Sequence, residues 1–349
     1  MASAIAQGPA QRGVVVVLGT GGTIAGTAAS AADSLGYTAA QRSVRLLVDA
    51  VPALAAGPIE SEQVAQLDSK DMDVAVWCRL AQRVAAHLAR PEVAGVVITH
   101  GTDTLEETAY FLHRVVPAEN KPVVLTAAMR PATSMQADGP QNLLDAVTLA
   151  RVPQACGVLA VIGGRVFAGA DLRKVHSHRL DAFDAGDGGP LAAVVAGRVR
   201  RYRDWPGAAA SAGRAKIAGD ADSTGSAGST EIGWDQLAAT AWPWVEIVSS
   251  GAGADGRIVD TLAAAGVQGL VVAGTGNGSV HRALEAALMG AQAAGVRVLC
   301  STRCPQGGVV DDESAAKGAS ALPSAGDLTP PQARIELMLR LLLADDQRP

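Results

Sequence analysis

The sequence predicts an α/β fold of two domains, a larger N-terminal one on a mostly parallel, doubly wound sheet and a smaller C-terminal α/β one. Three observations predict it. Short β-branched runs alternate with longer segments of helical period, the pattern of a sheet covered on both faces. A chain of 349 residues is long for a single core. Residues 206–231 are dominated by Ala, Gly and Ser, which bury too little apolar area to order a chain, and they read as a flexible linker. The domains are therefore expected at residues 1–205 and 232–349, each with its own strands.

In chain order, strands are expected at GVVVVLG (13–19), VAGVVITHG (93–101), KPVVLTAA (121–128), GVLAVIGG (157–164), GLVVAGTG (269–276) and RVLCSTR (297–303). Between the first two, residues 71–90 place Met72, Val76, Leu80, Val84 and Leu88 on one helical face and Arg79, Arg83, His87 and Arg90 on another. Thr104 followed by Glu107 fits a capping box, so a helix should begin just after Asp103 and carry Tyr110, Phe111 and Leu112. Thr329 with Gln332 is a second such start. It opens a last helix through Ile335, Leu337, Met338 and Leu341, with Pro330 where a missing N–H costs least.

Composition excludes several partners. Lys and Arg number 29 against 34 Asp and Glu, a net charge of -5, which lacks the basic footprint of a nucleic-acid binder. Hydrophobic residues make up 48% but fall in runs too short to span a bilayer, so no membrane partner is expected. The first residues, MASAIAQGPAQRG, show no basic start followed by an apolar stretch, and a cytoplasmic protein is expected. A removed leader would look the same and would make it periplasmic. Cys78, Cys156, Cys300 and Cys304 form no CxxC pair, so buried reduced thiols are expected rather than zinc or disulfides.

The first strand runs into Gly19-Thr20-Gly21-Gly22-Thr23-Ile24-Ala25-Gly26, whose glycines permit a tight turn beside a hydroxyl. A dinucleotide fingerprint would need Gly where Ile24 stands, and no Gly-Lys-Ser/Thr follows for a phosphate loop. The other reading is a nucleophile turn, in which Thr23 attacks a carbonyl and turn amides hold the oxyanion. In the second segment, Thr99 to Thr108, polar side chains gather where a strand ends and a helix begins, the place where open α/β sheets bind ligands. Asp103 could simply cap that helix. With Thr102 it could equally hold a small zwitterion.

TGGTIAG (20–26), DSKDM (68–72), THGTDTLEETAYF (99–111), AMRPATSMQADGPQNL (128–143) and AGTGNG (273–278) together closely resemble the bacterial-type L-asparaginases, in order and in spacing. The likeness covers nearly the whole chain outside the linker. It implies hydrolysis of L-asparagine to L-aspartate and ammonia, without metal or cofactor, through a threonine-linked acyl enzyme. In that family the TGGT threonine, here Thr23, is the primary nucleophile, and a tyrosine on the following loop, here Tyr37, assists it. An unassisted hydroxyl is a poor nucleophile at neutral pH, so a proton acceptor is required. A second set of threonine, aspartate and lysine corresponds to Thr102, Asp103 and Lys174, where a desolvated lysine beside a hydroxyl serves as base. Residues 26–40, small and polar, would form a loop that closes over substrate.

For substrate holding, the resemblance gives Asp103 the ammonium and Ser69 the α-carboxylate, with Gly101 and Thr102 lining the same turn. Asn277 matches a residue that reaches into a neighbouring subunit's site, and relatives usually form tetramers of close dimers, so a homotetramer is implied. Asp311, Asp312 and Glu313 all lie near the place of a further acidic residue donated by the second domain. Lys70 departs from the family pattern, in which Gln or Glu touches the substrate ammonium; it either faces solvent or pairs with the α-carboxylate. That departure bears on the choice between L-asparagine and L-glutamine. His176-x-His178 lacks a third ligand for a metal, and His100 is expected to brace the THGTD turn. Three alternatives remain at this point. One is a glutaminase-asparaginase of broader specificity. Another is the ammonia-supplying subunit of a tRNA-dependent amidotransferase, which usually adds an N-terminal domain and a partner, whereas few residues precede the first strand here. The third is a binding protein without turnover, against which Thr23, Thr102, Tyr37 and Lys174 together argue.

Overall fold

The computed structural model describes residues 13–33, 36–206, 217–218, 232–233, 237, 241–310 and 322–345. The expected linker thus falls outside the described residues except for Pro206 and the pair Ile217–Ala218. The chain divides into two compact units, one holding the described residues up to 206 and the other those from 241 onward.

In the first unit the strands are β1 (Val14–Gly21), β2 (Thr27–Ala28), β3 (Tyr37–Thr38), β4 (Ile59–Leu67), β5 (Val93–Thr99), β6 (Pro122–Thr126), β7 (Gly157–Ile162), β8 (Arg165–Ala168), β9 (Arg173–Lys174), β10 (Phe183–Asp184), β11 (Ala192–Val195) and β12 (Arg198–Arg201). Eight of them form one sheet in the order β12-β11-β8-β7-β6-β5-β1-β4. From β4 to β7 every neighbouring pair is parallel, whereas β8, β11 and β12 extend the sheet antiparallel. The sheet is therefore mixed, with the expected parallel part running from the β4 edge to β7 and the antiparallel strands completing the other end.

The helices are α1 (Val44–Asp49), α2 (Val74–Leu88), α3 (Leu105–Val115) and α4 (Gly139–Ala150). β1 and β5 are buried along nearly their whole length, which is why they read as unbroken apolar runs rather than alternating ones. Val15, Val17, Val97 and Val124 share a core with Val44 and Leu47 of α1 and with Leu143 and Val147 of α4. The intervening Val16, Leu18, Val96 and Ile98 are also wholly buried, so both faces of the sheet are covered. On α2 and α3, Trp77 stacks on Phe111 with ring centroids 5.2 Å apart.

α2 follows its N-cap Asp73, whose carboxylate accepts from the Val76 amide at 2.8 Å. Val76, Leu80, Val84 and Leu88 are buried as its period requires. His87 lies with Arg83 and Arg90 as expected, but it is buried there, and its Nε2 donates to the Glu62 carboxylate at 2.8 Å. α3 begins at Leu105 as expected but not by the expected cap, because the Thr104 hydroxyl donates instead to the Ser69 carbonyl at 2.8 Å. The second box does form. The Thr329 amide donates to Gln332 Oε1 at 3.1 Å and the Gln332 amide donates to the Thr329 hydroxyl at 3.4 Å, opening the helix Pro330–Asp345.

The second unit holds three parallel strands, Val245–Ser249, Gly269–Gly274 and Arg297–Thr302. Val259, Leu270, Leu284 and Leu288 are among its buried core. Of the four thiols only Cys78 and Cys300 are buried; Cys156 is half-buried and Cys304 exposed, a correction to the uniform burial expected. Among the described residues no helix is long and apolar enough to cross a membrane.

Asn142 on α4 ties two strand ends together. It is 2% exposed, its Nδ2 donates to the Ala127 carbonyl at 2.9 Å, and its Oδ1 accepts from the Gly163 amide at 3.0 Å. Asn142→Ala leaves both backbone groups unpaired and is expected to lower stability by about 1–3 kcal/mol. A urea midpoint equal to the parent's at the same m-value would contradict this.

Candidate active site

β1 lies between β4 and β5, so the chain leaves β1 toward one side of the sheet and later returns on the other. In a parallel sheet this is a topological switch point, where side chains from adjacent carboxyl ends converge. Three polar motifs follow these three strands: TGGT after β1, DSK after β4 and THGTD after β5.

The turns touch backbone to backbone. Gly22 has φ +79°, and a Cβ placed on it would stand 2.3 Å from the Gly101 N and Cα atoms. A Cβ on Gly101 would in turn stand 2.4 Å from the Ser69 hydroxyl. Only glycine fits either place. The approach brings together the turns that carry Thr23 and Thr102, both buried at 6% exposure.

Each threonine has a proton-carrying neighbour. Thr23 Oγ1 lies 2.7 Å from the Tyr37 hydroxyl. Tyr37 sits on β3, which pairs with β2 in a two-residue ribbon. Thr102 Oγ1 accepts from Lys174 Nζ at 2.9 Å, and Asp103 Oδ1 accepts from the same ammonium at 2.5 Å. The Ser69 hydroxyl accepts from the Asp103 amide at 3.2 Å. Of the amides in the first turn, Gly22 donates to the Leu67 carbonyl at 2.9 Å, Ala25 to Gly22 at 3.1 Å and Gly26 to Thr23 at 2.8 Å, so these three are already committed.

Thr23, Tyr37, Ser69, Gly101, Thr102, Asp103 and Lys174 are thus gathered at one end of the sheet. Lys70 turns away. Its ammonium is exposed and paired with Asp71, the solvent-facing one of the two orientations open to it. Asn277 belongs to the second unit, where its amide donates to the Val310 carbonyl at 3.0 Å and accepts from the Val310 amide at 2.7 Å. Asp311, Asp312 and Glu313 lie outside the described residues.

His100 braces the THGTD turn. The Gly101 carbonyl, 2.7 Å from Nδ1, can only accept, so Nδ1 carries the proton and Nε2 accepts from the Thr108 hydroxyl at 3.0 Å. Thr108 accepts in turn from Trp77 Nε1 at 2.8 Å. Full burial pushes the imidazole pKa down to about 4. His176 Nδ1 accepts from the His178 and Arg179 amides at 3.0 and 3.1 Å. Among the described residues no group of three or more His, Cys, Asp or Glu could hold a metal ion.

Two residues with roles around the site were not singled out from sequence. Asp138 accepts from the Met129 and Arg130 amides at 3.0 and 2.9 Å and so shapes the AMRPATSMQADGPQNL loop. That loop braces the 26–40 segment, with Thr133 accepting from the Ala28 amide at 2.8 Å and Ala132 donating to the Gly26 carbonyl at 3.0 Å. Glu106 accepts from the Lys174 amide at 2.6 Å, and enclosure of its carboxyl raises the pKa to about 7. Its only signal in the sequence is its place three residues after Asp103, masked by the reading of Glu107 as the cap partner.

A family model described as asparaginase, N-terminal, matches residues 14–206, and one described as glutaminase/asparaginase C-terminal domain matches residues 244–348. The chain belongs to the asparaginase family. It is accordingly an enzyme of the amide-hydrolase kind. It is 35% identical to L-asparaginase 2 of Escherichia coli (strain K12), over 95% of this chain and 90% of that protein. It is likewise 35% identical to a glutaminase-asparaginase of Pseudomonas fluorescens biotype A, over 96% of this chain and 88% of that one. Among solved structures it is similar to a probable cytoplasmic L-asparaginase from Campylobacter jejuni, with a TM-score of 0.78 and 35% identity over 95% of both chains.

Two outcomes are expected for this asparaginase fold. Gly22→Ala forces a methyl group into the Gly101 backbone at a positive φ and should cost about 2–5 kcal/mol; a melting temperature equal to the parent's would contradict it. For His100, the unfolded chain takes up a proton near pH 6.5 that the folded chain refuses until about pH 4. Its contribution, about 3 kcal/mol, is therefore complete above pH 6.5 and lost as pH falls from there to 4. In an NMR titration the His100 ring should still be neutral at pH 5, and a midpoint near 6.5 would refute the assignment.

Proposed function

We propose that this asparaginase-family chain hydrolyses L-asparagine to L-aspartate and ammonia through an acyl enzyme on Thr23. The observation that carries the reading is the pair of hydroxyl contacts, Thr23 with Tyr37 at 2.7 Å and Thr102 with Lys174 at 2.9 Å, on neighbouring strand ends. In the first half-reaction Thr23 Oγ1 bonds to the side-chain amide carbon while Tyr37 takes up and passes on its proton. The C–N bond then breaks and ammonia leaves carrying that proton. In the second, Lys174 in its free-amine form takes a proton from water through Thr102 as the water oxygen bonds to the ester carbon; the bond from that carbon to Thr23 Oγ1 then breaks, the proton passes on to Thr23 Oγ1, and aspartate departs.

The developing oxyanion would be met by the amides of Thr23 and Ile24, since those of Gly22, Ala25 and Gly26 are committed. Asp103, half-exposed at the head of α3, would take the substrate ammonium and Ser69 the α-carboxylate. The reading needs no metal or cofactor. A homotetramer of close dimers, with the C-terminal unit and Asn277 serving a neighbouring site, belongs to the same proposal. So does a cytoplasmic place in the cell, following the name of the Campylobacter jejuni protein. A second reading, a glutaminase-asparaginase, is favoured by the name of the Pseudomonas fluorescens relative.

The deciding experiment compares ammonia release from L-asparagine, D-asparagine and L-glutamine, with Thr23→Ala beside the parent. The parent should favour L-asparagine, and Thr23→Ala should lose roughly a thousandfold or more in kcat. Undiminished turnover by that variant would remove Thr23 from its role. Comparable rates on glutamine would favour the broader specificity. Sedimentation velocity then checks the tetramer.

A further inference from the structure

Lys174 is held at both ends by carboxylates that stand three residues apart along the same segment. Its ammonium meets Asp103 Oδ1 at 2.5 Å, and its backbone N–H donates to Glu106 Oε2 at 2.6 Å. Asp103 lies just ahead of α3 and Glu106 is in the first turn of that helix, a spacing that sets the two side chains on one side. Beyond these carboxylates, the Lys174 segment is tied to the chain after it, where the Val175 and His176 amides donate to the Ala182 carbonyl at 2.8 and 3.2 Å. Lys174 lies on β9, which pairs with β10 over only two positions, Lys174 with Phe183 and Arg173 with Asp184. A lysine side chain has four rotatable bonds and about 2 kcal/mol of rotamer entropy, so a base that must meet one hydroxyl needs its root held still.

We propose that Glu106 is a positioning residue for the hydrolysis: by accepting the Lys174 amide it fastens β9 to α3, the helix that follows directly on Thr102 and Asp103, and so sets where the lysine Nζ lands. The proposal rests on the reading of Lys174 given above. A short bond from an amide to a carboxylate is stronger than a neutral one, and it joins two elements of the same site rather than closing a ladder. Besides Lys174, the charges that bear on Glu106 are those of Glu107 and Arg173. Enclosure of the carboxyl is the larger influence and holds its pKa near 7. The acceptor survives either protonation state, because a carboxylic acid keeps a carbonyl oxygen.

Two variants separate holding from bulk. Glu106→Gln keeps a carbonyl acceptor at the same reach, and Glu106→Met keeps the length without an acceptor. Measured are kcat and KM for asparagine and hydrogen exchange at the Lys174 amide. The methionine variant should exchange at that amide about tenfold faster or more and lose about tenfold or more in kcat, with KM within about threefold of the parent. The glutamine variant should recover both to within about threefold. A methionine variant with parental kcat, or a glutamine variant that rescues nothing, overturns the proposal. Should the methionine variant fail to fold, Glu106→Asp, which withdraws the acceptor by one methylene, takes its place under the same criteria. If the parent itself releases no ammonia from asparagine, the substrate reading has failed. The exchange measurement then stands alone, and unchanged exchange without the acceptor overturns the proposal.

Discussion

The site depends on one close approach, that of the Gly22 backbone to the Gly101 backbone. At 2.3 Å from a hypothetical methyl group, it leaves no room for any side chain. Neither turn could reach the other from a more distant strand. Because β1 pairs with both β4 and β5, their carboxyl ends are separated only by the spacing of neighbouring strands. The glycines remove the last obstacle; Thr23 and Thr102 follow as their chain neighbours, and Ser69 stands against Gly101. The motif sequences are thus as much about backbone clearance as about reactive groups.

Around that contact the polar atoms form a chain that reaches deep into the fold. Trp77 donates to Thr108, Thr108 to His100, and His100 to the Gly101 carbonyl. A neutral imidazole fits this relay because it offers one donor and one acceptor in fixed directions. Burial supplies the neutral form, since a charged ring there would lack solvent. Trp77 also stacks on Phe111, so one apolar packing contact between α2 and α3 bears on the orientation of the turn that holds Thr102.

The strands that build this site were legible where both faces are buried, as in the VVVV of β1 and the VAGVVIT of β5. β4 was not, because IESEQVAQL lies at the sheet edge and keeps most of its side chains partly in water. The antiparallel β8, β11 and β12 are four residues each, too short to stand out from turns. Thr104 shows the limit of motif reading: its spacing to Glu107 fits a cap, yet a nearby carbonyl at Ser69 competes for the hydroxyl. At Thr329 the box forms. Thr23 and Thr102 carried a signal as motif members and Lys174 only through the family resemblance, whereas Glu106 acts through a backbone amide 68 positions away in sequence, a relation no local pattern encodes.

The outer strand β4 carries Glu60, engaged by Arg90, and Glu62, engaged by Arg83 and His87. An open border normally invites a foreign strand to dock and lengthen the sheet. Here a fringe of paired ions would have to be stripped of water and of its mates before any such graft. Addition of a further strand is thus disfavoured along this flank, and β1 with its reactive turn stays one row behind it.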